Sequence, residues 1–446
     1  MNEPEPVTTP VKPANPFAGL LLAVMLALSI GGALFESLPM IAAASFAWLA
    51  LIVCWRRLSR QQQLQALVLL VLGVMGLWWG VEHGVEIELS RVLGQNQIII
   101  SMMASVTLLR LLSYATDDAA GATLPTGRMA YNRSVVGVHL FAAVINVSSL
   151  VIMADRLSRS SPLSKDQALM LGRSFTMAVF YSPFIAGMAL ALAYTPGSSL
   201  SLIMLTGIPL AAFGLAMLYV MGRLGWAGDL QKFPGYPAQF ESLWLPGLLA
   251  VLVLLLHTLF PSLSVLVLVI MLAPIMVATV LAVRQGPRAA LKTMLEFGKK
   301  RLPEMGGELA LFLAAGVLGA GLIAVVTTLD GSLPFDQFTA TEASLILLAT
   351  AVVAFTGVHP VVMVTTAATV MTPLHPDPNL LAMAFVTSWG IGCALCPFSG
   401  TNLVLHGRYG VSSWFIARNN IGFAAAMITV AVILMHLFER FGPAVP

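Results

Sequence analysis

Long apolar runs separated by short polar loops fill most of the chain, and this pattern predicts an all-α polytopic membrane protein. A helix needs about 20 apolar residues to cross the hydrocarbon core of a bilayer. Runs of that kind predict eleven crossing helices, at residues 17–35, 37–55, 64–83, 95–113, 166–194, 200–222, 242–260, 263–283, 307–328, 380–408 and 412–437.

Two apolar segments, 134–156 and 338–374, remain outside these crossings. The first lies between two crossings that reach the inner side, and the second between two that reach the outer side. We therefore expect each to enter the membrane and turn back, from opposite faces. The alternative is that 341–356 crosses as an ordinary helix, which would make twelve crossings.

Basic residues set the predicted orientation, because Lys and Arg collect in cytoplasmic loops. With the N-terminus inside, most of them fall in inner loops, and only Arg91 and Arg440 fall clearly outside. The outer loops carry acidic residues such as Glu86 and Asp336. The sequence thus predicts an inner (cytoplasmic) membrane protein with a cytoplasmic N-terminus and an external C-terminus.

Composition supports lipid as the solvent of this chain. Of its 446 residues 58% are hydrophobic and 10% are charged, whereas soluble proteins average about 25% charged residues. The net charge of +3 is too small to indicate nucleic-acid binding. Residues 1–16 are rich in Pro and acidic, which predicts a disordered N-terminal tail.

The order of features along the chain indicates two repeats. "GVH" at 137–139 leads to the polar island Asn146–Ser149 and then to 166–194, which Pro183 interrupts. "GVH" at 357–359 leads to Thr365–Thr369 and then to 380–408, which Pro397 interrupts. Equivalent elements that enter from opposite faces characterise an inverted-topology repeat.

The predicted organisation follows from that repeat. A helix at 17–36 precedes the first repeat at 37–223, which contains a re-entrant hairpin (134–156) and a broken helix (166–194). A cytoplasmic linker at 224–241 leads to the second repeat at 242–437, and 438–446 is a C-terminal tail. The second repeat contains an interfacial amphipathic helix (285–303), a re-entrant hairpin (338–374) and a broken helix (380–408).

The interrupted helices are the predicted functional elements. Proline removes a backbone donor, and glycine relaxes the helix further, so "PFSGTN" at 397–402 should unwind it. Unwound backbone inside a membrane is tolerated only where it lines a protein-enclosed cavity. The N-terminal ends of the half-helices suit an anion, and the freed carbonyl groups suit a hard cation.

This layout of two inverted repeats resembles that of the ion-transporter superfamily of secondary transporters. The closest likeness is to divalent-anion:sodium symporters, with a looser one to arsenite and Na+/H+ permeases. "SGTNLVLHG" (399–407) is similar to the sequence that breaks the second-half helix of those symporters, and "INVSSLVIM" and "VTTAATVMTP" resemble their hairpin tips. Neither hairpin carries the Ser-Asn-Thr of those symporters. The resemblance implies a homodimer with a fixed scaffold and a moving transport domain.

Hydroxyl and amide groups at the hairpin tips and at the second break are the predicted ligands of a solute: Asn146, Ser148, Ser149, Thr365, Thr366, Thr369, Ser399, Gly400, Thr401 and Asn402. The predicted coupling-ion residues are Ser182, Pro183, Cys396, Pro397, Thr401, Asn402, His139 and His359. The two histidines occupy equivalent places in the "GVH" alignment, so their protonation would couple transport to H+. The alternative for each is a histidine that is hydrogen-bonded at the hairpin entrance.

Other polar residues receive structural interpretations. Glu308 and Glu342 lie near the ends of their segments, which counts against a carboxylate-based proton antiporter. Arg173 either has a structural role or pairs with a solute carboxylate, and the first interpretation is favoured. Cys393 and Cys396 form a C-x-x-C without a second pair, which favours packing over metal binding.

Together these observations predict a secondary active transporter of a small anionic solute, an organic acid or oxyanion, coupled to Na+ or H+ by an elevator-type mechanism. No cofactor is expected beyond a possible Na+. A Na+/H+ exchanger or an oxyanion exporter is the alternative within transport. A membrane-embedded enzyme would need clustered His or Asp residues, which the sequence lacks. A passive channel is a third alternative.

Overall fold

The computed structural model describes residues 15–35, 40–113, 125–158, 161–226, 228–231, 233–235, 244–329 and 337–442. These residues form helices and connecting turns, with one isolated bridge between Thr126 and Pro234. Residues 1–14 and 443–446 of the predicted tails, and the linker residues 227, 232 and 236–241, lie outside the described residues. Residues 438–441 of the predicted C-terminal tail belong to the last helix, so this tail begins later than predicted.

The helices of the first half end before residue 224. They are α1 Pro16–Leu34, α2 Met40–Cys54, α3 Arg60–Glu82, α4 Leu89–Gly94, α5 Gln97–Thr107, α6 Arg110–Ser113, α7 Arg128–Ile145, α8 Val147–Leu157, α9 Lys165–Val179, α10 Ala186–Tyr194 and α11 Leu200–Arg223.

The helices of the second half begin at residue 244. They are α12 Trp244–Leu259, α13 Val265–Gln285, α14 Pro287–Arg301, α15 Gly306–Thr328, α16 Ala340–Phe355, α17 Pro360–Met371, α18 Pro378–Leu395, α19 Gly400–Tyr409, α20 Ser413–Asn419 and α21 Ile421–Phe441.

Within the described residues, eight helical stretches are long and apolar enough to cross a membrane. They are Pro16–Leu34, Arg60–Glu82, Leu89–Leu112, Leu200–Arg223, Val265–Gln285, Pro287–Thr328, Pro378–Tyr409 and Ile421–Phe441. The chain is therefore a multi-pass, all-helical membrane protein. The predicted number of eleven crossings stays a prediction.

The predicted crossing at 95–113 overlaps the helical stretch Leu89–Leu112, which is long and apolar enough to cross a membrane but is not one regular helix. The chain there forms α4, α5 and α6, and Asn96 adopts a left-handed conformation (φ 62°) between the first two. Its side chain compensates for the interruption, because Nδ2 donates a hydrogen bond to the carbonyl oxygen of Phe312 (3.1 Å). The predicted helix at 412–437 is also divided, into α20 and α21, at Asn420.

Helices α3 and α15 approach each other closely. A Cβ atom added to Gly73 would lie 2.6 Å from the backbone of Val317, and one added to Gly76 would lie 2.6 Å from the backbone of Gly321. Small residues let membrane helices approach closely and gain van der Waals contact. Gly73, Gly76 and Gly321 therefore allow the two helices to pack closely.

The two ends of the α7–α8 segment contact the C-terminal ends of α11 and α19. Near the start of α7, the Tyr131 hydroxyl donates a hydrogen bond to the carbonyl oxygen of Leu218 (3.3 Å), close to the end of α11. Near the end of α8, Asp155 accepts a hydrogen bond from the hydroxyl of Tyr409 (2.7 Å), at the end of α19.

The start of α9 shows that these two places lie at the same end of the molecule. Asp166 contacts Gly228, which follows α11. The Nζ atom of Lys165 lies 5.1 Å from the ring centroid of Phe415, which follows α19. The α7–α8 segment, hairpin 1 below, therefore turns back. The end that it shares with Arg223 and Arg408 is called the basic end below.

The α16–α17 segment, hairpin 2 below, begins and ends at the opposite end. The backbone N–H of Ala340 donates to a carboxylate oxygen of Glu439 (3.1 Å), near the end of α21. Asn379, just after hairpin 2, accepts a hydrogen bond from the N–H of Ser199 (2.7 Å), just before α11. The two hairpins thus approach the interior from opposite ends, and their position in a bilayer stays a prediction.

Candidate functional site

Both interrupted helices are present, and the interruptions are short. Residues 180–185 separate α9 from α10, and residues 396–399 separate α18 from α19. Pro183 and Pro397 lie inside these interruptions, as the sequence predicted. At the first one, the Ser182 hydroxyl donates to the carbonyl oxygen of Ala143 and accepts from the N–H of Phe184 (3.2 Å). The first interruption is therefore fastened to hairpin 1.

The second interruption is shorter than predicted. Gly400, Thr401 and Asn402 belong to the first turn of α19, so the expectation that they are unwound is wrong. Ser399 is the N-cap and its hydroxyl accepts from the N–H of Asn402 (3.4 Å). Nδ2 of Asn402 donates to the carbonyl oxygen of Cys396 (2.9 Å). Asn402 thus compensates for a backbone bond lost at the interruption, because freed carbonyls need partners.

The two broken helices contact each other directly. A Cβ atom on Gly187, in α10, would lie 2.5 Å from the Trp389 ring in α18. A Cβ atom on Gly390 would lie 2.6 Å from the Phe180 ring. Aromatic rings from each break region therefore fill the space left by glycine on the other, and the pair packs as one unit.

The tip of hairpin 1 is formed by Asn146, which has a positive φ of 54°. Its own side chain holds the turn, since Oδ1 accepts from the N–H of Val147 (2.8 Å). The hydroxyl of Ser149 donates to the carbonyl oxygen of Asn146 (2.7 Å) and is buried. Ser148 is half-buried and lines a cavity. Of the predicted solute ligands at this tip, Ser148 is thus placed to contact a solute, and Ser149 builds the turn.

The tip of hairpin 2 lies elsewhere than predicted. The turn is at Thr356–His359 and centres on Gly357, whose φ is 108°. Thr365, Thr366 and Thr369 lie inside α17, so the expectation that they form the tip is wrong. The Thr369 hydroxyl donates to the carbonyl oxygen of Thr365 (3.0 Å). The Thr365 side chain is fully buried, and its Cγ2 lies 2.7 Å from the position of a Cβ on Gly319.

His139 and His359 are not equivalent, which corrects the alignment of the two "GVH" triplets. His139 lies within α7, about two turns before the tip, and its Nε2 is 2.9 Å from the hydroxyl of Tyr181. His359 is the N-cap of α17, where Nδ1 accepts from the N–H of Val361 (3.2 Å). His139 is therefore hydrogen-bonded to the interruption of the first broken helix, whereas His359 caps the second helix of hairpin 2.

A cavity of about 160 Å³, lined by both charged and apolar residues, lies at the tip of hairpin 1. Its charged lining residues are three arginines and two glutamates, namely Arg110, Arg301, Arg408, Glu304 and Glu308. Its other lining residues include Asn146, Ser148 and Val404 of α19. The side chains of Arg301, Glu304 and Arg408 are 41%, 44% and 52% exposed, so the cavity opens at the basic end.

Ion pairs order the mouth of this cavity. Glu304 pairs with Nη1 of Arg301 (2.7 Å) and with Nη1 of Arg110 (3.4 Å). Arg408 pairs with Asp155 of hairpin 1 (2.7 Å). The lining residues hold one more arginine than glutamate, and Asp155, which does not line the cavity, is the carboxylate that pairs with Arg408. None of these arginines was a predicted site residue, because each lies at the end of an apolar run.

A second cavity, of about 40 Å³, lies on the other side of the start of α19. It is lined by Gln62, Gln65, Gly307, Glu308, Leu311, His359, Phe398, Gly400 and Leu403. Nε2 of Gln65 donates to the carbonyl oxygen of Gly357 (3.2 Å), which joins α3 to the tip of hairpin 2. Glu308 lines both cavities.

The predicted site residues are thus only partly brought together. Asn146 and Ser148 line the larger cavity, and Gly400 and His359 line the smaller one. The remaining predicted residues line neither of these two cavities; they are Ser149, Thr365, Thr366, Thr369, Ser182, Pro183, Cys396, Pro397, Ser399, Thr401, Asn402 and His139.

A polar cluster at the interruption before α5 was also absent from the predicted site. Tyr194, the last residue of α10, donates from its hydroxyl to Oδ1 of Asn96 (3.2 Å) and lies 3.4 Å from Nε2 of Gln95. An asparagine within an apolar run is the one sequence signal for this cluster, since asparagine tolerates a positive φ.

Arg173 has a hydrogen-bonding role inside the molecule. Its Nε donates to Oδ1 of Asn420 (2.9 Å) and its Nη2 donates to the carbonyl oxygen of Asn419 (2.6 Å). Nδ2 of Asn420 in turn donates to the carbonyl oxygen of Ala394 (2.9 Å), next to the second interruption. This chain of bonds joins α9 to α18 and agrees with the structural interpretation of Arg173.

The described part of the chain contains no group of three or more His, Cys, Asp and Glu residues that could hold a metal ion. Cys393 and Cys396 are free thiols, and the N–H of Cys396 caps α18 by donating to the carbonyl oxygen of Gly392 (2.8 Å). The predicted binding of a hard cation by backbone carbonyl and hydroxyl oxygens stays a prediction.

No protein-family model and no curated protein matches this chain. Among solved structures, the chain is similar to the YdaH transporter of Alcanivorax borkumensis, whose topology is described as unusual. The identity is 14%, the match covers 78% of this chain and 85% of that chain, and the TM-score is 0.46. A likeness at this level does not establish a shared fold.

Proposed function

We propose that this protein is a secondary active transporter of a small anionic solute, an organic acid or an oxyanion, coupled to H+ or Na+. The observation that carries the proposal is the arginine-rich cavity between the tip of hairpin 1 and α19. Guanidinium groups bind carboxylate and oxyanion groups through charge-assisted hydrogen bonds. Three guanidinium groups around one cavity of a multi-pass membrane protein suit the binding of an anion.

The arrangement of helices supports a carrier over a fixed pore. Two broken helices pack on each other, and two hairpins approach them from opposite ends. Only the tip of hairpin 1 adjoins the larger cavity, which opens at the basic end. Access from one end at a time is what alternating access requires. We propose an elevator-type movement of this unit within a homodimer, with the basic end facing the cytoplasm.

The test is uptake by the purified protein in proteoliposomes. A panel of acetate, benzoate, succinate, tartrate and sulfate is first screened for ligand-dependent thermal stabilisation, since a ligand that binds the folded state raises apparent stability. Each stabilising anion is then offered with an imposed pH gradient, a Na+ gradient or none. We expect saturable accumulation above the equilibrium concentration with one of the two gradients.

Other outcomes identify the alternatives. Flux that never exceeds equilibrium would indicate a channel. Movement of Na+ against H+ without any anion would indicate an exchanger, and recovery of a chemically altered solute would indicate an enzyme. If no panel anion stabilises the protein or accumulates, the proposed function is wrong for these solute classes.

A further inference from the structure

Glu308 is the one carboxylate that lines both cavities. It lies in the first turn of α15 and is half-buried. Its Oε1 lies 3.6 Å from the position that a Cβ atom would take on Gly400, the first residue of α19. The carboxylate is therefore placed at the N-terminal end of a half-helix, between the cavity of hairpin 1 and the cavity that contains His359.

The two glutamates of the larger cavity differ in their ion pairing. Glu304 is paired with Arg110 and Arg301, and Arg408 is paired with Asp155. No ion pair joins Glu308 to another described residue. The titratable and charged groups that share its cavities are Arg110, Arg301, Glu304, Arg408 and His359.

A bound anion and an ionised Glu308 would compete for the same favourable position. The N–H groups at the start of α19 and the arginines of the cavity favour one negative charge. Two negative charges confined together repel each other strongly, and one of them is neutralised by a proton when both groups stay in place. Arrival of a solute anion therefore favours the protonated carboxyl of Glu308.

We propose that Glu308 is the proton-binding site of this transporter and that one proton binds to it together with the solute anion. The inference rests on the proposed function and names its coupling ion. Protonation at a carboxylate oxygen adds one H+ from solution and breaks no other bond. The bound proton neutralises the carboxylate of Glu308 while the proton and the solute anion are carried together. The process is therefore an H+–anion symport.

The direct test is proton uptake on anion binding. The full-length protein is placed in weakly buffered detergent solution at pH 7.5 with a pH indicator, and the most stabilising anion of the panel above is added. We expect about one proton taken up per anion bound by the wild-type protein and none by the Glu308→Gln variant. This measurement on the wild-type protein stands even if the variant fails to fold.

The pH dependence of binding gives a second readout. Linkage requires that the wild-type affinity falls about tenfold per pH unit where Glu308 is ionised before binding. The Glu308→Gln variant is neutral at every pH, so it should bind the anion equally tightly at pH 6 and pH 8. Glu308→Asp should keep the pH dependence, because it keeps a carboxylate.

Glu304→Gln is the matched control. Glu304 lines the same cavity but is paired with two arginines, so its variant should change affinity and retain the uptake of one proton. Loss of proton uptake in Glu304→Gln, or its persistence in Glu308→Gln, would overturn the assignment. So would anion binding by the wild-type protein without proton uptake.

The two proposals fail in different ways. If no panel anion binds or accumulates, the proposed function is wrong for these solute classes, and the role of Glu308 falls with it. If an anion accumulates under a Na+ gradient and its binding takes up no proton, the transporter stands and only the role of Glu308 is refuted.

Discussion

The two hairpins carry the same "Gly-Val-His" letters but use them in different places. In hairpin 1 the triplet lies inside α7, and the chain turns later at Asn146. In hairpin 2 the triplet is the turn itself, with Gly357 at φ 108° and His359 as the N-cap of α17. The tip of hairpin 1 faces the larger cavity. At the tip of hairpin 2 the Phe398 ring covers Gly357, and His359 lines only the smaller cavity.

The difference shows what a hairpin tip requires. Each turn needs a residue that tolerates a positive φ, and asparagine and glycine are the residues that do so most readily. An asparagine tip keeps a carboxamide at the turn and leaves room for a solute. A glycine tip lets an aromatic ring lie directly on the backbone, which leaves less space for a solute on that side. The two hairpins thus have the same topology and unequal access.

The largest effect is expected from Gly357→Val. A valine would have an unfavourable positive φ, and its Cβ would lie 2.6 Å from the Phe398 ring. Backbone strain costs about 1–3 kcal/mol and overpacking costs a similar amount, so the free energy of unfolding should fall by roughly 3 kcal/mol or more. Thermal unfolding in detergent measures this. Asn146→Gly in hairpin 1 is the control and should cost less than about 1 kcal/mol; equal losses would contradict the comparison.

The second largest loss of stability is expected from breaking the hydrogen bonds by which Arg173 joins α9 to α18. Arg173→Met would leave Oδ1 of Asn420 and the carbonyl oxygen of Asn419 without their donor. Loss of hydrogen bonds to a charged group costs about 1.5–3 kcal/mol. The exposed Arg223 is the matched control, since Arg223→Met should change the unfolding midpoint little. A neutral result for Arg173→Met would show that the two repeats are not coupled through this contact.

The second interruption should be moderately sensitive to Asn402→Ala. The variant removes the hydrogen bond from Nδ2 to the carbonyl oxygen of Cys396, which should lower the free energy of unfolding by about 1–2 kcal/mol. Thr401→Ala is the comparison, because Thr401 lies beside Asn402 in the same turn and lines neither cavity. Similar stability for both variants, measured by thermal unfolding, would argue against a clamping role for Asn402.

The smallest effect separates two neighbouring serines of hairpin 1. Ser148→Ala should weaken anion binding by about 1 kcal/mol, roughly fivefold in Kd, with little change in stability. Ser149→Ala should do the reverse, because its hydroxyl holds the turn by donating to Asn146. Titration of each variant with the stabilising anion, together with its unfolding midpoint, distinguishes the two roles. If Ser149→Ala weakened anion binding and Ser148→Ala did not, Ser149 and not Ser148 would contact the solute, which would contradict this assignment.

Much of the fold follows from local sequence features. Apolar runs locate most helices, and Pro183 and Pro397 locate the two interruptions, because proline removes a backbone donor wherever it stands. The interruption at Asn96 escapes such reasoning, since asparagine in an apolar run is tolerated in a helix. Its left-handed conformation is fixed by Phe312, which lies far away in sequence.

The candidate site is less accessible to sequence reasoning. Glu308 stands at the end of an apolar run, where a carboxylate is ordinary, and only the fold brings it to Gly400. The alignment of the two "GVH" triplets led to a wrong prediction of the tip of hairpin 2. A better signal was present in Pro360, since proline favours the first position of a helix and so marks a turn just before it.

The labelling of single cysteines is the most direct test that the tip of hairpin 1 is open to the basic end while the interior of α17 in hairpin 2 is not. In a protein without Cys54, Cys393 and Cys396, the variants Ser148→Cys and Thr365→Cys are exposed to a membrane-impermeant maleimide from the face that carries Arg301 and Arg408. We predict rapid reaction at position 148, slowed by a bound anion, and slow reaction at position 365, whose side chain is fully buried. Reaction at position 365 as fast as at position 148 would contradict the account.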